Sequence, residues 1–94
     1  MEVIPRMKLS QAKKEKISEQ ILFHLYNIYP KAQFTAEIAR EIARDEEFIK
    51  DLLFNLKDKG LVIPIRKNPQ GIPYSRRIRW RISNQAYEAY KKQQ

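Results

Sequence analysis

Apolar side chains recur at helical spacing in the first third of the chain. One face carries an isoleucine or a leucine at successive turns: Ile17, Ile21, Leu25 and Ile28. This period predicts an amphipathic helix over about 11–28 that packs against a core. Ser10 is a suitable N-cap for it, and Pro30 follows its end. The C-terminal half of the helix is apolar nearly all round, which predicts burial on two sides.

Two shorter helical segments follow, separated by only one or two residues. Thr35 is predicted to cap the first, over 36–43, and Asp45 to cap the second, over 46–59. Gly60 can supply a left-handed C-cap. Their inward stripes are Ile38, Ala39 and Ile42 in the first and Ile49, Leu52, Leu53 and Leu56 in the second, which Phe48 borders. Two short amphipathic helices joined this tightly predict a helix-turn-helix.

The last third of the chain changes from helical to strand periodicity. One strand is predicted over 61–66, a turn-rich loop over 68–73 and a return strand over 77–82. In the return strand Ile78, Trp80 and Ile82 alternate with Arg77, Arg79 and Arg81. This period of two is typical of a sheet with one buried and one solvent-facing side. Ser83 then caps a final helix.

These elements predict one winged helix-turn-helix domain over 1–94, in the α+β class but mainly α. Its three-helix core is followed by a β-hairpin wing and a final helix. The predicted parts are an N-terminal arm at 1–10, helix one at 11–29, the helix-turn-helix at 35–60, the wing at 61–82 and the last helix at 83–92.

Three short segments carry a resemblance to a known group of proteins. They are Thr-Ala-Glu-Ile-Ala at 35–39, Leu-Lys-Asp-Lys-Gly-Leu-Val at 56–62 and Trp-Arg-Ile-Ser at 80–83. With the order of elements, they resemble winged-helix transcriptional regulators related to the MarR and PadR families, over about 11–92. The resemblance implies a homodimeric regulator that places helix three in the major groove of DNA and the wing near the flanking backbone or minor groove.

The net charge of +8 is distributed unevenly. Residues 61–82 contain six cations and no carboxylate, whereas 17–60 contain six cations and eight acids. Such a local excess attracts polyanions, so the wing is the candidate nucleic-acid grip. The lysines around the start of helix one are interpreted instead as a solvated helix face; they are Lys8, Lys13, Lys14 and Lys16.

The arginines of the return strand repeat on one face about every 6.6 Å, close to the spacing of phosphates along a strand. The alternative is that they only protect a sheet edge by charge. The candidate DNA-binding residues are Arg40, Arg44, Lys50, Asn55, Arg66, Lys67, Asn68, Gln70, Tyr74, Arg76, Arg77, Arg79 and Arg81.

Helix three departs from the pattern of a reading helix. Its outward positions, by helical angle, are Glu47, Lys50, Asp51, Phe54, Lys57 and Asp58. The three acids there face repulsion from phosphates. Either helix three reads bases with few groups, such as Lys50 and Asn55, or it contacts protein and the wing binds DNA.

Aromatic side chains cluster on helix one and the last helix. With Leu22 the set is Phe23, Tyr26, Tyr29, Tyr87 and Tyr90. It is either an intramolecular patch or a dimer interface, and the surplus of large apolar side chains on so small a chain favours a homodimer. His24 lies among isoleucines and leucines and is interpreted as a packed, hydrogen-bonded core histidine.

The residue inventory argues against several function classes. There is no cysteine and only one histidine, so we expect no metal site, no cofactor and no catalytic constellation. The chain is therefore not expected to be an enzyme. It shows no signal-peptide pattern and no apolar run near the roughly 20 residues that span a bilayer, so we expect a cytoplasmic protein.

Two alternatives to duplex DNA binding stay open. An exposed Phe54 among acids would suit a protein-interaction module of a transcription or replication assembly. Tyr74 beside Arg76 and Arg77 resembles a stacking platform for single-stranded nucleic acid.

Overall fold

Four helices and three short strands make up residues 10–66 and 78–93, the part of the chain that this computed structural model describes. In order they are α1 (Gln11–Ile28), β1 (Gln33–Phe34), α2 (Thr35–Ile42), α3 (Glu46–Asp58), β2 (Val62–Ile65), β3 (Arg79–Ile82) and α4 (Asn84–Lys92). The chain has the predicted mixed, mainly helical fold of a winged helix-turn-helix.

Three helix N-termini are capped as the sequence predicts. Ser10 Oγ accepts a hydrogen bond from the N–H of Lys13 at 3.2 Å, and Asp45 Oδ2 accepts one from the N–H of Phe48 at 3.1 Å. Ser83 Oγ accepts from the N–H of Ala86 at 3.1 Å. Each oxygen satisfies a backbone donor that the first turn of a helix leaves unpaired.

The predicted cap of α2 is wrong. The helix begins at Thr35, so Phe34 takes the cap position, and the Glu37 carboxylate accepts the N–H of Phe34 at 2.9 Å. The hydroxyl of Thr35 instead accepts a hydrogen bond from Nε1 of Trp80 at 2.8 Å. A buried indole N–H needs an acceptor, and this demand from a distant strand decides what Thr35 does.

Ala43, Arg44 and Asp45 form the turn between α2 and α3, the two helices of the helix-turn-helix. Ala43 adopts the left-handed conformation, with φ 63° and ψ 47°. Its N–H still bonds to Arg40 O at 3.2 Å, and the N–H of Arg44 bonds to Ala39 O at 3.0 Å. This single left-handed residue ends α2, and α3 begins three residues later, at Glu46.

The strands form one antiparallel sheet in the order β1-β3-β2. The short strand β1 was not predicted; Gln33 pairs with Trp80 and Phe34 with Arg79. On the other side Pro64 pairs with Trp80 and Ile63 with Arg81. The central strand β3 therefore joins the residues before α2 to those after α3.

The core lies between the helices and one face of this sheet. The largest fully buried side chains are Trp80, Ile21, Leu25, Ile38, Ile49, Leu53 and Ile82. The predicted alternation in β3 is confirmed: Trp80 and Ile82 are buried, while Arg79 and Arg81 lie on the opposite face and are partly exposed.

Candidate nucleic-acid interface

The first turn and a half of α3 presents a charged pair to solvent. Nζ of Lys50 lies 3.3 Å from Oε1 of Glu47, with the lysine side chain 41% and the glutamate side chain 77% exposed. Asp45 caps the helix directly before them. The exposed start of the second helix of a helix-turn-helix is the part that meets base edges in DNA complexes.

Phe54 is not the exposed side chain that the helical wheel predicts. Its ring packs edge-on against Trp80, with 5.2 Å between the centroids, and the guanidinium of Arg66 lies 6.0 Å from its centroid. The side chain is half-buried against the core. The prediction failed because the wing strands cover this side of α3, which angles along one helix do not reveal.

The two sides of α3 face different surfaces. Asp51 and Asn55 line an open groove of about 640 Å³ between α1 and α3. Glu47 and Lys50 line a smaller depression of about 220 Å³, which Ala36 and Ile78 share. The pair therefore faces the start of α2 and the wing, whereas Asp51 faces α1.

Three of the candidate wing cations lie in the described residues. Arg66 is exposed beyond the end of β2, and Arg79 lies with its guanidinium carbon 6.0 Å from the ring centroid of Phe34. Nη1 of Arg81 donates to Ile82 O at 2.9 Å and to Asn84 Oδ1 at 3.3 Å. Arg66 and Arg79 thus lie against aromatic rings, and Arg81 is tied to the start of α4.

The remaining candidates divide into two groups. Arg40 and Arg44 are exposed at the end of α2 and in the turn after it. Those outside the described residues are Lys67, Asn68, Gln70, Tyr74, Arg76 and Arg77. The assignment of all these side chains to DNA stays a prediction.

The tyrosines of the predicted dimer interface contact one another within the chain. Tyr29 stacks on Tyr87 with centroids 3.7 Å apart, and Tyr26 packs against Tyr87 at 5.1 Å and Tyr90 at 5.8 Å. Leu22 belongs to the core, whereas Phe23 is 55% exposed. An intramolecular aromatic cluster between α1 and α4 is therefore present, and the dimer interface stays a prediction.

A hydrogen bond and a nearby negative charge act on this aromatic cluster. The hydroxyl of Tyr29 donates to Asn84 Oδ1 at 3.1 Å, the same oxygen that accepts from Arg81. Burial raises the pKa of the Tyr90 phenol above its usual value of 10.0, and the negative charge of Glu19 adds to the shift. The cluster thus connects β3, α4 and α1.

His24 is hydrogen-bonded, as predicted, but half-buried rather than in the core. Its Nε2 lies 2.7 Å from Oε1 of Gln33. Among residues 10–66 and 78–93, no group of three or more histidine, cysteine or acidic side chains could hold a metal ion. No helix in these ranges has the length and apolar character needed to cross a membrane.

Sequence reasoning missed the groups that connect the wing to the helices. Thr35 accepts a hydrogen bond from Trp80 of β3, and Asn84 accepts one from Arg81 of the same strand. Neither bond follows from local periodicity. The only sequence signal was the tryptophan itself, because a buried indole N–H seeks a partner.

Two solved structures share this architecture. A mutant of MepR from a multidrug-resistant clinical isolate of S. aureus superimposes with a TM-score of 0.66 and 19% identity, over 82% of this chain and 53% of that one. ZitR of Lactococcus lactis, described as a zinc-responsive MarR family member, gives a TM-score of 0.62 and 19% identity over 99% of this chain and 56% of that one.

This chain spans little more than half the length of each of these proteins. No protein-family model matches it, and no curated protein matches it in sequence. The similarity is thus one of fold: the chain has the winged-helix architecture of MarR-family regulators.

Proposed function

We propose that this domain binds double-stranded DNA as a small transcriptional regulator. The observation that carries the proposal is the packing of the described part of the acid-free wing, Arg66 and β3, against α3. Arg66 lies over Phe54 of α3, and β3, with Arg79 and Arg81, is hydrogen-bonded to β2. Arg66, Arg79 and Arg81 therefore lie on strands that pack against the helix whose exposed start carries Glu47 and Lys50.

The distribution of charge also supports DNA binding through the wing. Residues 61–82 contribute six cations without an acid, while the outward side of α3 carries Glu47 and Asp51. Phosphates attract the wing and repel these acids, so the wing supplies most of the affinity. The exposed Arg40 and Arg44 add two further cations at the helix-turn-helix.

A salt titration of duplex binding tests this function. Each phosphate that a protein cation neutralises makes the slope of log K against log salt steeper by about 0.9. We expect Arg66→Ala to reduce the slope by about one unit, and Lys16→Ala, which removes an exposed cation of α1, to leave it unchanged. A wild-type protein without affinity for duplex DNA at low salt would refute the proposal.

Competition between duplex and single strands separates the remaining nucleic-acid alternative. A winged helix that reads the major groove requires a duplex, whereas a stacking platform prefers single strands. We expect a duplex to displace a labelled duplex more effectively than the same length of single strand.

The proposed regulator is a homodimer. Phe23, on α1 next to the aromatic cluster, is the large apolar side chain most exposed in the described part of the chain. A second copy is a natural cover for such a side chain. We expect Phe23→Ser to lower the dimer fraction in analytical ultracentrifugation and Phe23→Leu to preserve it. A monomeric wild-type protein at high concentration would contradict this part of the proposal.

Phe54 does not support binding to a protein partner. That alternative depended on an exposed ring, whereas the ring is packed against Trp80.

A further inference from the structure

The acids on α3 need an explanation if the helix enters a major groove. Glu47 and Lys50 occupy the exposed start of α3. Trp80 and Arg66 cover Phe54, so Phe54 is removed from contact. Lys57 and Asp58 pair with each other at the opposite end of the helix. The exposed start of this helix therefore offers Glu46, Glu47 and Lys50, and the last two form a pair of one carboxylate and one ammonium group. Resting on the proposed function, we propose that the Glu47–Lys50 pair reads a C·G base pair in the major groove.

The spacing of the two groups matches the edge of a base pair. Oε2 of Glu47 and Nζ of Lys50 lie 3.3 Å apart, an acceptor beside a donor. In a C·G pair the N4 amino group of cytosine donates to O6 of guanine, so a donor and an acceptor lie about 3 Å apart on the major-groove edge. The carboxylate faces the amino group and the ammonium group faces O6.

The same chemistry disfavours an A·T pair. Adenine also offers an amino group, but its N7 acceptor lies next to it and repels a carboxylate. Thymine offers O4 beside a methyl group, which gives an ammonium group only one acceptor, whereas guanine provides both O6 and N7. The pair therefore favours cytosine opposite Glu47 and guanine opposite Lys50.

The cost of this arrangement is lower affinity for DNA in general. Glu47 repels phosphates at every site, and a cytosine amino group compensates for the carboxylate better than an adenine amino group, which has the N7 acceptor beside it. The pair thus reduces binding to random duplex and increases discrimination. This assigns specificity to α3 and affinity to the arginines of the wing.

Asp51 offers a matched control on the same helix. It carries the same charge one turn later and is also exposed, but it faces the groove beside α1. Glu47→Gln and Asp51→Asn each remove one negative charge from α3. Both variants are expected to bind random duplex more tightly, so a purely electrostatic role would make them indistinguishable.

The test has two stages. The wild-type protein first selects duplexes from a random pool, and binding is then measured to the selected sequence and to its single-base variants. We expect one C·G position in each half-site whose replacement weakens wild-type binding by between about fivefold and about 150-fold. Glu47→Gln should reduce this discrimination to less than about twofold, whereas Asp51→Asn should retain it.

The outcomes distinguish the inference from the function. If Glu47→Gln keeps the wild-type base preference, or Asp51→Asn loses it equally, the base-reading role is wrong while DNA binding stands. If the wild-type protein retains no duplex from the pool at low salt, the proposed function itself fails. Circular dichroism of both variants establishes that each retains its helices.

Discussion

Nε1 of Trp80 donates a hydrogen bond of 2.8 Å to the hydroxyl of Thr35, and both residues are buried. This bond links the central strand of the sheet to the first residue of α2. Because β3 pairs with β1 and with β2, this strand is held to both ends of the helix-turn-helix.

Removing the hydroxyl of Thr35 should leave a buried donor without its acceptor. We expect Thr35→Val to lower the free energy of unfolding by about 1–3 kcal/mol, as is usual for an unsatisfied buried polar group. Urea denaturation followed by the fluorescence of the single tryptophan measures this. Thr35→Ser keeps the hydroxyl and should lose less than half as much; equal losses would show that the hydrogen bond contributes little.

The left-handed turn residue predicts a stabilising substitution. An alanine in the left-handed region costs about 1–2 kcal/mol, which a glycine avoids. Part of this gain is offset because glycine is more flexible in the unfolded chain. We expect Ala43→Gly to raise the free energy of unfolding by up to about 1 kcal/mol in chemical denaturation.

Ala89 provides the control for that substitution. It is also an exposed alanine, but it lies within the right-handed helix α4. Ala89→Gly should destabilise the protein by about 0.5–1 kcal/mol. Equal signs for the two substitutions would argue against the left-handed conformation of Ala43.

These expectations show which parts of the fold local sequence determines. The bounds of α1 and the caps at Ser10, Asp45 and Ser83 follow from periodicity and from side chains that bond within one turn. The strand β1 has only two residues, so it carries no period, and it exists because β3 pairs with it. Long-range pairing also explains the errors at Thr35 and Phe54, since β3 contacts both.

For the candidate site, the sequence showed which residues are charged, but it did not show which side chains are bonded or buried within the chain. The sequence identified the excess of cations in the wing, because counting needs no structure. It could not reveal that Arg81 bonds to Ile82 O and Asn84, or that Leu22 belongs to the core. Those properties depend on how α1 and α4 pack beside the sheet.

The ring of Phe54 should contribute to stability rather than to recognition of a partner. Truncating a half-buried phenylalanine removes its packing against Trp80, so we expect Phe54→Ala to cost about 1–3 kcal/mol, less than for a fully buried ring. The matched variant Phe54→Leu should recover most of the loss. An unchanged midpoint of urea denaturation in Phe54→Ala would contradict this packing.

Alkaline pH should weaken the contact between α1 and α4. Burial and Glu19 raise the pKa of Tyr90 in the folded protein above the value of 10.0 that applies when the chain is unfolded. The neutral phenol therefore stabilises the fold fully below pH 10.0, and this contribution is lost as the pH rises through the higher folded pKa.

Replacing Tyr90 should reveal this contribution. The free energy of unfolding should decline above pH 10 more steeply in the wild-type protein than in Tyr90→Phe, which has no proton to lose. Glu19→Gln should reduce the difference, because it removes the second cause of the shift. Parallel pH profiles for the wild type and Tyr90→Phe would refute this link.

The central position of β3 has a consequence for how the protein is made. The pairing of Gln33 with Trp80 joins residues about half the chain apart, and Trp80 and Ile82 fill the middle of the core. On a ribosome the three preceding helices emerge without the strand that completes them. We therefore expect nascent chains that end at Gly60 to be digested rapidly by protease, and chains extended through α4 to resist it.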